Sequence, residues 1–292
     1  MKILLTGANG QVGWELRRTL ATLGEVVAVD SQAMNLTDAD GIRGVIRALR
    51  PQVIVNSAAY TAVDKAESEP QLAHAVNAVA PGILAEEAKR IGAILVHYST
   101  DYVFDGSGET PWKEDAASAP LNVYGASKLA GEQAIEAVGG RHLIFRTAWV
   151  YGTRGGNFLL TMRRLFRERP ELKIVADQIG APTWCRSLAE ATAQGLAQCL
   201  SPQRGADRPE PWGVYHMTNA GETAWHGFAQ DILRLEPPAA PPSLLPIPSA
   251  DYPTPARRPL NSRLDNGKLA RVFGIRLPPW QTALKLCLDR AE

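Results

Sequence analysis

A glycine-rich turn directly after the first apolar run constrains the fold of this chain more than any other feature. The run covers residues 2–6, and glycines follow at Gly7, Gly10 and Gly13. Glycines at this spacing allow a tight turn, bring the backbone close to a pyrophosphate, and let the next helix pack closely on the sheet. The helix that begins at Gln11 would offer open N–H groups and a partial positive charge to the phosphates. The pattern therefore predicts a strand–turn–helix unit that binds a dinucleotide.

Short apolar runs alternate with amphipathic segments through the first half of the chain. Such runs are typical of strands that are covered on both faces of a sheet. The predicted strands span residues 2–6, 26–29, 53–56, 93–97 and 143–146, and the predicted helices span residues 11–22, 38–49, 68–90 and 122–138. This alternation implies parallel strands joined by right-handed crossovers. We therefore expect an α/β fold, a Rossmann-type doubly wound parallel sheet, with a smaller C-terminal substrate-binding domain.

The second half of the chain is less regular. Strands are predicted near residues 173–175 and 214–216, and helices over residues 187–199 and 225–233. Residues 236–259 are rich in proline, which excludes a helix interior or a central strand and favours a surface loop or an edge segment. Alternatively, a cluster in this stretch forms one wall of a substrate site: Asp251, Tyr252, Arg257 and Arg258. We divide the chain into a Rossmann domain over residues 1–150, joined by part of 173–217, and a remainder over residues 151–292 that is mainly substrate-binding.

Composition and charge exclude several classes of protein. The 292 residues include 31 Lys and Arg against 30 Asp and Glu, a net charge of +1 that argues against nucleic-acid binding. No apolar run reaches the roughly 18 residues of a membrane-spanning helix, and the N-terminal run is too short for a secretory signal. Cys185, Cys199 and Cys287 are too few and too scattered for a disulfide framework or a zinc site. We expect a soluble cytoplasmic protein without nucleic-acid or membrane partners.

Asp30 closes the second predicted strand, where an acidic side chain would accept hydrogen bonds from the adenosine ribose of a dinucleotide. The alternative is an ordinary aspartate that caps a turn at the end of a strand. Because a carboxylate repels a 2′-phosphate, Asp30 favours NADH over NADPH.

A Tyr-x-x-x-Lys motif lies on the predicted helix over residues 122–138. Tyr124 and Lys128 are four residues apart and share one face of that helix. A lysine ammonium beside a phenol would lower the phenol pKa from about 10, which suits a proton donor or acceptor near neutrality. Thr100 follows a buried strand and would hydrogen-bond both Tyr124 and a substrate oxygen. The alternative is an exposed helical pair without a chemical role.

The glycine turn, the strand-end hydroxyl and the Tyr-x-x-x-Lys motif, in this order, resemble the extended short-chain dehydrogenase/reductase family. Further segments extend the resemblance over essentially the whole chain: residues 99–106, 120–128, 146–152, 177–183 and 257–264. They are similar to members that reduce a keto sugar carried on dTDP. The resemblance implies NADH or NADPH as cofactor, and because relatives with a similar acid often accept both, we expect activity with each and a modest preference for NADH. It also implies reduction of dTDP-4-dehydro-6-deoxy-L-mannose to dTDP-L-rhamnose, a precursor of cell-surface polysaccharide.

The resemblance also implies a set of site residues. Tyr124 would be the catalytic acid, Lys128 would hold the nicotinamide ribose, and Thr100 would complete the catalytic group. Thr100, Asp101 and Trp149 would contact the substrate, although a core role is the alternative for the tryptophan. The cofactor would contact Gly7, Gly10, Gln11, Val12, Gly13, Asp30, Asn35, Leu36, Ala59, Tyr60, Thr61, Tyr98, Tyr124 and Lys128. Relatives often have Asp in the 35–36 segment, so Asn35-Leu36 departs from the family pattern at the adenine edge.

Two other functions share most of these features. One is a sugar-nucleotide epimerase or dehydratase of the same superfamily, which retains its NAD through the catalytic cycle. The other is a nucleotide-binding regulatory subunit without catalytic activity. Some relatives dimerise around Mg²⁺ through surface carboxylates, so Mg²⁺ is possible here, but the sequence does not identify which carboxylates would be the ligands. The metal requirement and the choice between a monomer and a homodimer stay open.

Overall fold

A six-stranded parallel sheet forms the centre of the molecule. The computed structural model describes residues 1–201 and 210–289. The strands are β1 (Lys2–Thr6), β2 (Glu25–Val29), β3 (Val53–Asn56), β4 (Ile94–Thr100), β5 (His142–Thr147), β6 (Val150–Tyr151), β7 (Glu171–Val175), β8 (Ile179–Gly180), β9 (Thr183–Trp184), β10 (Gly213–His216), β11 (Thr223–Ala224), β12 (Ser243–Ile247) and β13 (Asn261–Ser262). The order in the central sheet is β10-β5-β4-β3-β1-β2. The predicted fold class is confirmed.

Helices cover both faces of this sheet. They are α1 (Gln11–Thr19), α2 (Ala39–Leu49), α3 (Val63–Ala66), α4 (Pro70–His74), α5 (Ala80–Ile91), α6 (Val123–Val138), α7 (Phe158–Glu168), α8 (Cys185–Leu200), α9 (Trp225–Leu235), α10 (Gly267–Phe273) and α11 (Trp280–Leu288). Within the described ranges, no helix combines the length and the apolar character needed to cross a membrane.

Alternate residues of each central strand pack on opposite faces of the sheet. On β1, Ile3 and Leu5 belong to the same cluster as Leu16 of α1 and residues of α8 and α10. Leu4, between them, belongs to a second cluster with Ile46 of α2 and residues of α5 and α6. Because both faces are buried, both sets of side chains are apolar, which explains the continuous apolar runs in the sequence.

The long helix predicted over residues 68–90 is not uniformly α-helical. It begins at Pro70, a residue suited to the first helical position, passes through a π-helical turn over Ala75–Val79, and ends before Gly92. In this π-helical turn, Asn77 faces the loop after β3. There Asn77 accepts a hydrogen bond from the backbone N–H of Tyr60 at 2.8 Å and donates one to the carbonyl of Tyr60 at 3.0 Å. The π turn thus fixes a loop at the carboxyl edge of the sheet.

Helix α6 lies unusually close to the elements around it. A Cβ atom on Gly131 would lie 2.0 Å from the Asn77 carbonyl oxygen. The next residue, Glu132, is 1% exposed and pairs with Arg146 of β5 at 2.6 Å, with two further contacts at 3.0 and 3.1 Å. A buried charge is tolerated when it is paired and hydrogen-bonded. Removing either partner would leave the other charge buried and unpaired, which is destabilising. Small residues and this ion pair together hold α6 against the sheet.

Most of the second half of the chain forms smaller sheets. The predicted strand at 173–175 is part of β7, which pairs with β12 in a separate two-stranded parallel sheet. Strand β12 lies in the proline-rich stretch and contains Pro246, consistent with the expected edge segment. The strand predicted at 214–216 is part of β10 and joins the central sheet beside β5. A third apolar cluster, around Tyr151, Phe228 and Trp280, holds α7, α9 and α11 together.

Gly131→Ala should destabilise the protein, whereas Gly44→Ala should stabilise it. Both glycines lie inside helices, where alanine is favoured by about 1 kcal/mol. No atom lies within 4 Å of a Cβ built at Gly44, but at Gly131 the added atom overlaps the Asn77 carbonyl oxygen. We expect a net loss of about 1–3 kcal/mol at Gly131. Urea unfolding of the two variants measures the difference, and equal stabilisation would show that α6 can move away without cost.

Candidate active site

A cleft of about 610 Å³ opens at the carboxyl ends of the central strands. Loops after β1, β2 and β3 line it, together with the end of β4 and one face of α6. The expected cofactor residues that line it are Gly7, Gly10, Gln11, Val12, Asp30, Asn35, Leu36, Ala59, Thr61, Tyr98, Tyr124 and Lys128. The carboxyl edge of an open α/β sheet is where ligands of such folds bind.

The three glycines of the first turn have different local roles. Gly7 has φ 68°, and a Cβ there would lie 2.7 Å from the backbone nitrogen of Ala58. A Cβ on Gly13 would lie 2.1 Å from the Gly7 carbonyl oxygen, so Gly13 is the close-packing residue and does not line the cleft. Gly10 is the N-cap residue of α1 and has no capping side chain, which leaves the first-turn N–H groups available to a phosphate.

Asp30 stands at the carboxyl end of β2 and is exposed to the cleft. Its Oδ1 accepts hydrogen bonds from the backbone N–H groups of Gln32 at 3.0 Å and Ala33 at 3.1 Å. These bonds fix the carboxylate at the part of the cleft that the loop after β2 lines. Asn35 also lines the cleft, but its Oδ1 accepts from both the N–H and the hydroxyl of Thr37.

Two predicted tyrosines are engaged away from the cleft through their hydroxyl groups. Tyr60 does not line the cleft, because its hydroxyl donates to Glu69 at 2.7 Å. Tyr98 does line the cleft, and its hydroxyl lies 2.6 Å from the Thr192 hydroxyl on α8. Contacts of Tyr60 and Gly13 with a cofactor therefore stay predictions.

The N-terminal turn of α6 positions Tyr124. Asn122 caps the helix, since its Oδ1 accepts from the N–H of Gly125 at 2.8 Å. A Cβ on Gly125 would lie 2.2 Å from the Tyr102 carbonyl oxygen, so glycine lets α6 approach the segment after β4. The rings of Tyr124 and Tyr102 meet edge to face, with centroids 5.7 Å apart.

Lys128 lies one turn further along α6 and is 2% exposed. Its Nζ donates to the Tyr98 carbonyl oxygen at 2.6 Å and lies 3.1 Å from Nε2 of His97. Burial lowers the pKa of Lys128 to about 8, opposed by the nearby Glu132 carboxylate. The sequence did not predict His97 at the site, because it is a lone histidine within an apolar strand and belongs to no motif.

The expectation that Lys128 lowers the pKa of Tyr124 is wrong for this structure. Burial raises the pKa of Tyr124 to about 12, and hydrogen bonding with Thr100 only partly opposes the rise. Desolvation of the phenol dominates its pKa, and the hydrogen bonds of the Lys128 ammonium go to the Tyr98 carbonyl and toward His97 rather than to the phenol. A phenol with this pKa keeps its proton at neutral pH, which suits a proton donor.

The end of β4 supplies a hydroxyl and a carboxyl group beside Tyr124. Thr100 donates from Oγ1 to Oδ1 of Asp101 at 3.0 Å and accepts from the N–H of Tyr102 at 3.2 Å. Asp101 is 2% exposed, and burial raises its pKa to about 6, with hydrogen bonds from Ser262 and Thr100 opposing the rise. The two residues form a buried polar pair next to Tyr124, and neither of them lines the cleft, so their contacts with a substrate stay predictions.

Trp149 follows β5 in a left-handed backbone conformation, with φ 49°. Its indole stacks on that of Trp225 at 3.6 Å between centroids and 11° between planes. A Cβ on Gly180 would lie 2.8 Å from the Trp149 ring, so glycine leaves room for the indole. Sequence reasoning missed Trp225, because nothing in a linear pattern links two tryptophans that are 76 positions apart.

A second groove of about 860 Å³ lies between the segment after β4 and the proline-rich stretch. Tyr252, Arg257 and Arg258 line it, as the substrate-wall alternative expects, whereas Asp251 does not. Arg258 also pairs with Asp64 at 2.8 Å. Over the described ranges, no group of three or more His, Cys, Asp or Glu side chains is arranged to hold a metal ion.

Sequence reasoning also missed a loop between β6 and α7. Gly155 and Gly156 line the cleft beside the glycine turn. Asn157 ties this loop to the turn, since its Nδ2 donates to Oε1 of Gln11 at 2.8 Å. The two consecutive glycines were a visible signal of close backbone approach, but their partner, Gln11 at the start of α1, could not be predicted from the sequence.

The sheet, the glycine turn and the Tyr124–Lys128 helix face are those of a Rossmann-type oxidoreductase of the short-chain dehydrogenase/reductase class. The chain matches the family model described as RmlD substrate binding domain over residues 1–292. It is 52% identical over 294 residues to the dTDP-4-dehydrorhamnose reductase of Burkholderia thailandensis, which covers 99% of this chain and 98% of that relative. The chain therefore belongs to the RmlD family, whose curated relatives at 39–52% identity carry the name dTDP-4-dehydrorhamnose reductase.

Solved structures agree with this assignment. A crystal structure of a dTDP-4-dehydrorhamnose reductase from Clostridium acetobutylicum has a TM-score of 0.92 and 37% identity, with 99% of both chains covered. A dTDP-4-dehydrorhamnose reductase from Bacillus anthracis in complex with NADP has a TM-score of 0.89 and 34% identity, with 98% of both chains covered. The resemblance drawn from the sequence motifs is confirmed.

Gly10→Val should weaken dinucleotide binding while the fold is retained. A Cβ on the exposed Gly10 would lie 3.2 Å from the Gly7 carbonyl oxygen, a tight contact that a small backbone shift relieves, whereas the branched side chain would occupy the space of a phosphate. We expect the Kd for NADH to rise at least about tenfold. Gly13→Val is the matched control, because its clash lies inside the protein and should cost about 1–3 kcal/mol of stability. Calorimetric titration and thermal melting separate the two effects, and unchanged NADH affinity in folded Gly10→Val would refute this role of the turn.

Proposed function

We propose that this chain reduces dTDP-4-dehydro-6-deoxy-L-mannose to dTDP-L-rhamnose with NADH or NADPH, a step of dTDP-rhamnose biosynthesis. The observation that carries the proposal is the meeting of Tyr124, Thr100 and Lys128 at the carboxyl edge of the sheet, beside a glycine turn that suits a dinucleotide. Each of these groups comes from the one chain, so the chemistry works equally in a monomer or a homodimer. A reaction that consumes reduced nicotinamide fits the cytoplasm.

The residues of the cleft fit a nicotinamide dinucleotide. Gly7 has a positive φ and packs against the backbone of Ala58, which lets the chain turn so that the uncapped first turn of α1 faces the cleft. Gly10, Gln11 and Val12 would hold the pyrophosphate there, and Asp30 would accept from the adenosine ribose. Ala59, Thr61 and Tyr98 line the far part of the cleft, and Lys128 would hold the nicotinamide ribose. When bound, the reduced cofactor supplies the hydride.

Tyr124 would donate its phenolic proton to the sugar oxygen as the carbonyl carbon is reduced. The raised pKa keeps that proton in place until charge develops on the oxygen. Thr100, beside the phenol, would turn its one hydroxyl proton from Asp101 to the same oxygen and stabilise its charge. The Lys128 ammonium would stabilise the tyrosinate that the proton transfer leaves behind.

The nucleotide would occupy the second groove, and the sugar would extend from it to Tyr124, which lines the cleft and not this groove. Trp149 lines neither of them, and it would offer an aromatic surface to the sugar ring, held by Trp225 behind it. Arg257 and Arg258 line the groove and carry the positive charge that a diphosphate needs. The proline-rich stretch over residues 236–259 thus serves as a wall of the substrate site, and residues 151–292 serve mainly as the substrate-binding domain.

Mixing the purified protein with NADH and dTDP-4-dehydro-6-deoxy-L-mannose tests the proposal against its two rivals. A reductase oxidises one NADH per sugar and forms dTDP-L-rhamnose, which absorbance and product analysis detect. An epimerase or dehydratase would alter the sugar without net loss of NADH, and a regulatory subunit would bind nucleotide without turnover. Folded, cofactor-binding protein that oxidises no NADH with this sugar would overturn the proposal.

Tyr124→Phe should lower kcat by about two to four orders of magnitude, the usual contribution of a placed acid. NADH binding should survive, because the phenol lies at the reacting end of the cofactor. Tyr102→Phe is the matched control, since it removes a neighbouring hydroxyl and keeps the edge-to-face ring contact. Steady-state kinetics with calorimetric titration distinguishes the variants, and wild-type turnover in Tyr124→Phe would remove this residue from the mechanism.

Asp30→Ala should shift the cofactor preference toward NADPH. Removing a carboxylate that faces a 2′-phosphate relieves repulsion, and we expect the ratio of kcat/KM for NADPH to that for NADH to rise about tenfold. Glu25→Ala changes an exposed acid at the other end of the same strand and should leave the ratio unchanged. If the ratio changes equally in both variants, the cofactor preference depends on the overall charge of the protein and not on Asp30.

A further inference from the structure

His97 is a buried titratable residue that the proposed mechanism does not use. It lies on β4, is 1% exposed, and faces Lys128 across the space between the sheet and α6. Burial and the neighbouring ammonium hold its pKa well below the usual range, so the ring is neutral. A neutral imidazole has one N–H and one accepting nitrogen, and the partners of the two nitrogens decide which is which.

A chain of hydrogen bonds passes through this ring. Lys128 Nζ lies 3.1 Å from His97 Nε2, and His97 Nδ1 lies 3.0 Å from the side-chain amide of Asn56 on β3. The other end of that amide lies 2.6 Å from the hydroxyl of Thr6 on β1. The chain thus crosses three neighbouring strands beneath the cleft.

The number of protons on these groups permits two donor–acceptor directions along this series of hydrogen bonds. If the Asn56 NH₂ group donates to Nδ1, then Nε2 carries the ring proton and Lys128 must be an uncharged amine to accept it. If Lys128 is an ammonium, it donates to Nε2, so Nδ1 carries the proton and the Asn56 oxygen must accept it. Turning over the Asn56 amide exchanges its oxygen and nitrogen without moving a neighbouring side chain, and Thr6 then accepts from the NH₂ group.

We propose that His97 is a positioning residue for Lys128: its Nε2 accepts from the ammonium while Nδ1 donates to Asn56. With the Tyr98 carbonyl, His97 then takes two of the three ammonium protons and directs the third to the cleft. The inference rests on the proposed function, because it assigns Lys128 a charged role in the reaction. Desolvation works against that charge, and a fixed acceptor beside the ammonium offsets part of the loss.

The surroundings of Lys128 make this acceptor important. His97 faces the ammonium from β4, while Tyr124 and Glu132 are its titratable neighbours on α6. The Glu132 carboxylate is already bound by Arg146 of β5 through its two oxygens. Removing the acceptor at His97 should therefore lower the pKa of Lys128 further and move the alkaline decline of kcat to lower pH.

Two substitutions separate positioning from simple space filling. Gln in His97→Gln places an amide oxygen near the position of Nε2 and keeps the contact with Lys128. Asn in His97→Asn reaches only the position of Nδ1 and keeps the contact with Asn56. We expect kcat within about threefold of wild type for His97→Gln, and a loss of about 10- to 100-fold for His97→Asn, as for a lost hydrogen bond to a charged group. The pH at which kcat falls should move down only in His97→Asn.

The ring proton can be observed directly in the wild-type protein. Selective ¹⁵N-histidine labelling, with His97→Gln to assign the signal, should show a proton on Nδ1 at pH 6 to 7, below the Lys128 pKa of about 8. A proton on Nε2, or equal kinetic losses and pH profiles in the two variants, would overturn the proposal. The nuclear magnetic resonance result needs no substrate or variant activity. If wild type fails to reduce the dTDP-sugar, the proposed function falls while the proton position still decides the role of His97.

Discussion

The close approach of α6 to the central sheet is the contact on which the rest of the site depends. Glycine at residues 125 and 131 lets the helix backbone reach neighbouring carbonyl groups, and the buried pair of Glu132 with Arg146 holds it there. Because Tyr124 and Lys128 are carried on this helix, its distance from β4 sets where the phenol and ammonium stand. The same approach removes water from both groups. Packing and acid–base chemistry at this site therefore have a single cause.

The sequence predicted the central sheet well because burial on both faces leaves a plain signal. Each apolar run became a strand within a few residues of its expected ends. The π turn at Ala75–Val79 left no such signal, since a local shift in hydrogen bonding barely changes the apolar period of a helix. The spacing of the glycines and the ends of the strands predicted where the cleft lies. The stacking of Trp149 on Trp225 depends on tertiary packing alone and left no signal in the sequence.

The electrostatics of the site show a similar limit of local reasoning. Four-residue spacing put Lys128 on the face of Tyr124 and predicted a lowered phenol pKa, whereas burial raises it to about 12. Spacing along a helix identifies one neighbouring residue. Desolvation of the phenol depends on every group packed around it, and the sequence does not show those groups. The raised value also suits the direction of the proposed reaction, because a reductase needs its tyrosine to hold a proton before turnover begins.

The left-handed backbone at Trp149 is a local cost that a pair of tryptophans offsets. A residue with a Cβ costs about 1 kcal/mol or more in that conformation, and glycine would avoid the cost. Stacking on Trp225 returns a similar amount, so the strained backbone is tolerated because the two indoles stay together. Glycine at this position would relieve the strain but lose the stacking contact and the aromatic surface with it. A melting curve alone would therefore not reveal what this residue does, and variants at this position need a turnover assay beside it.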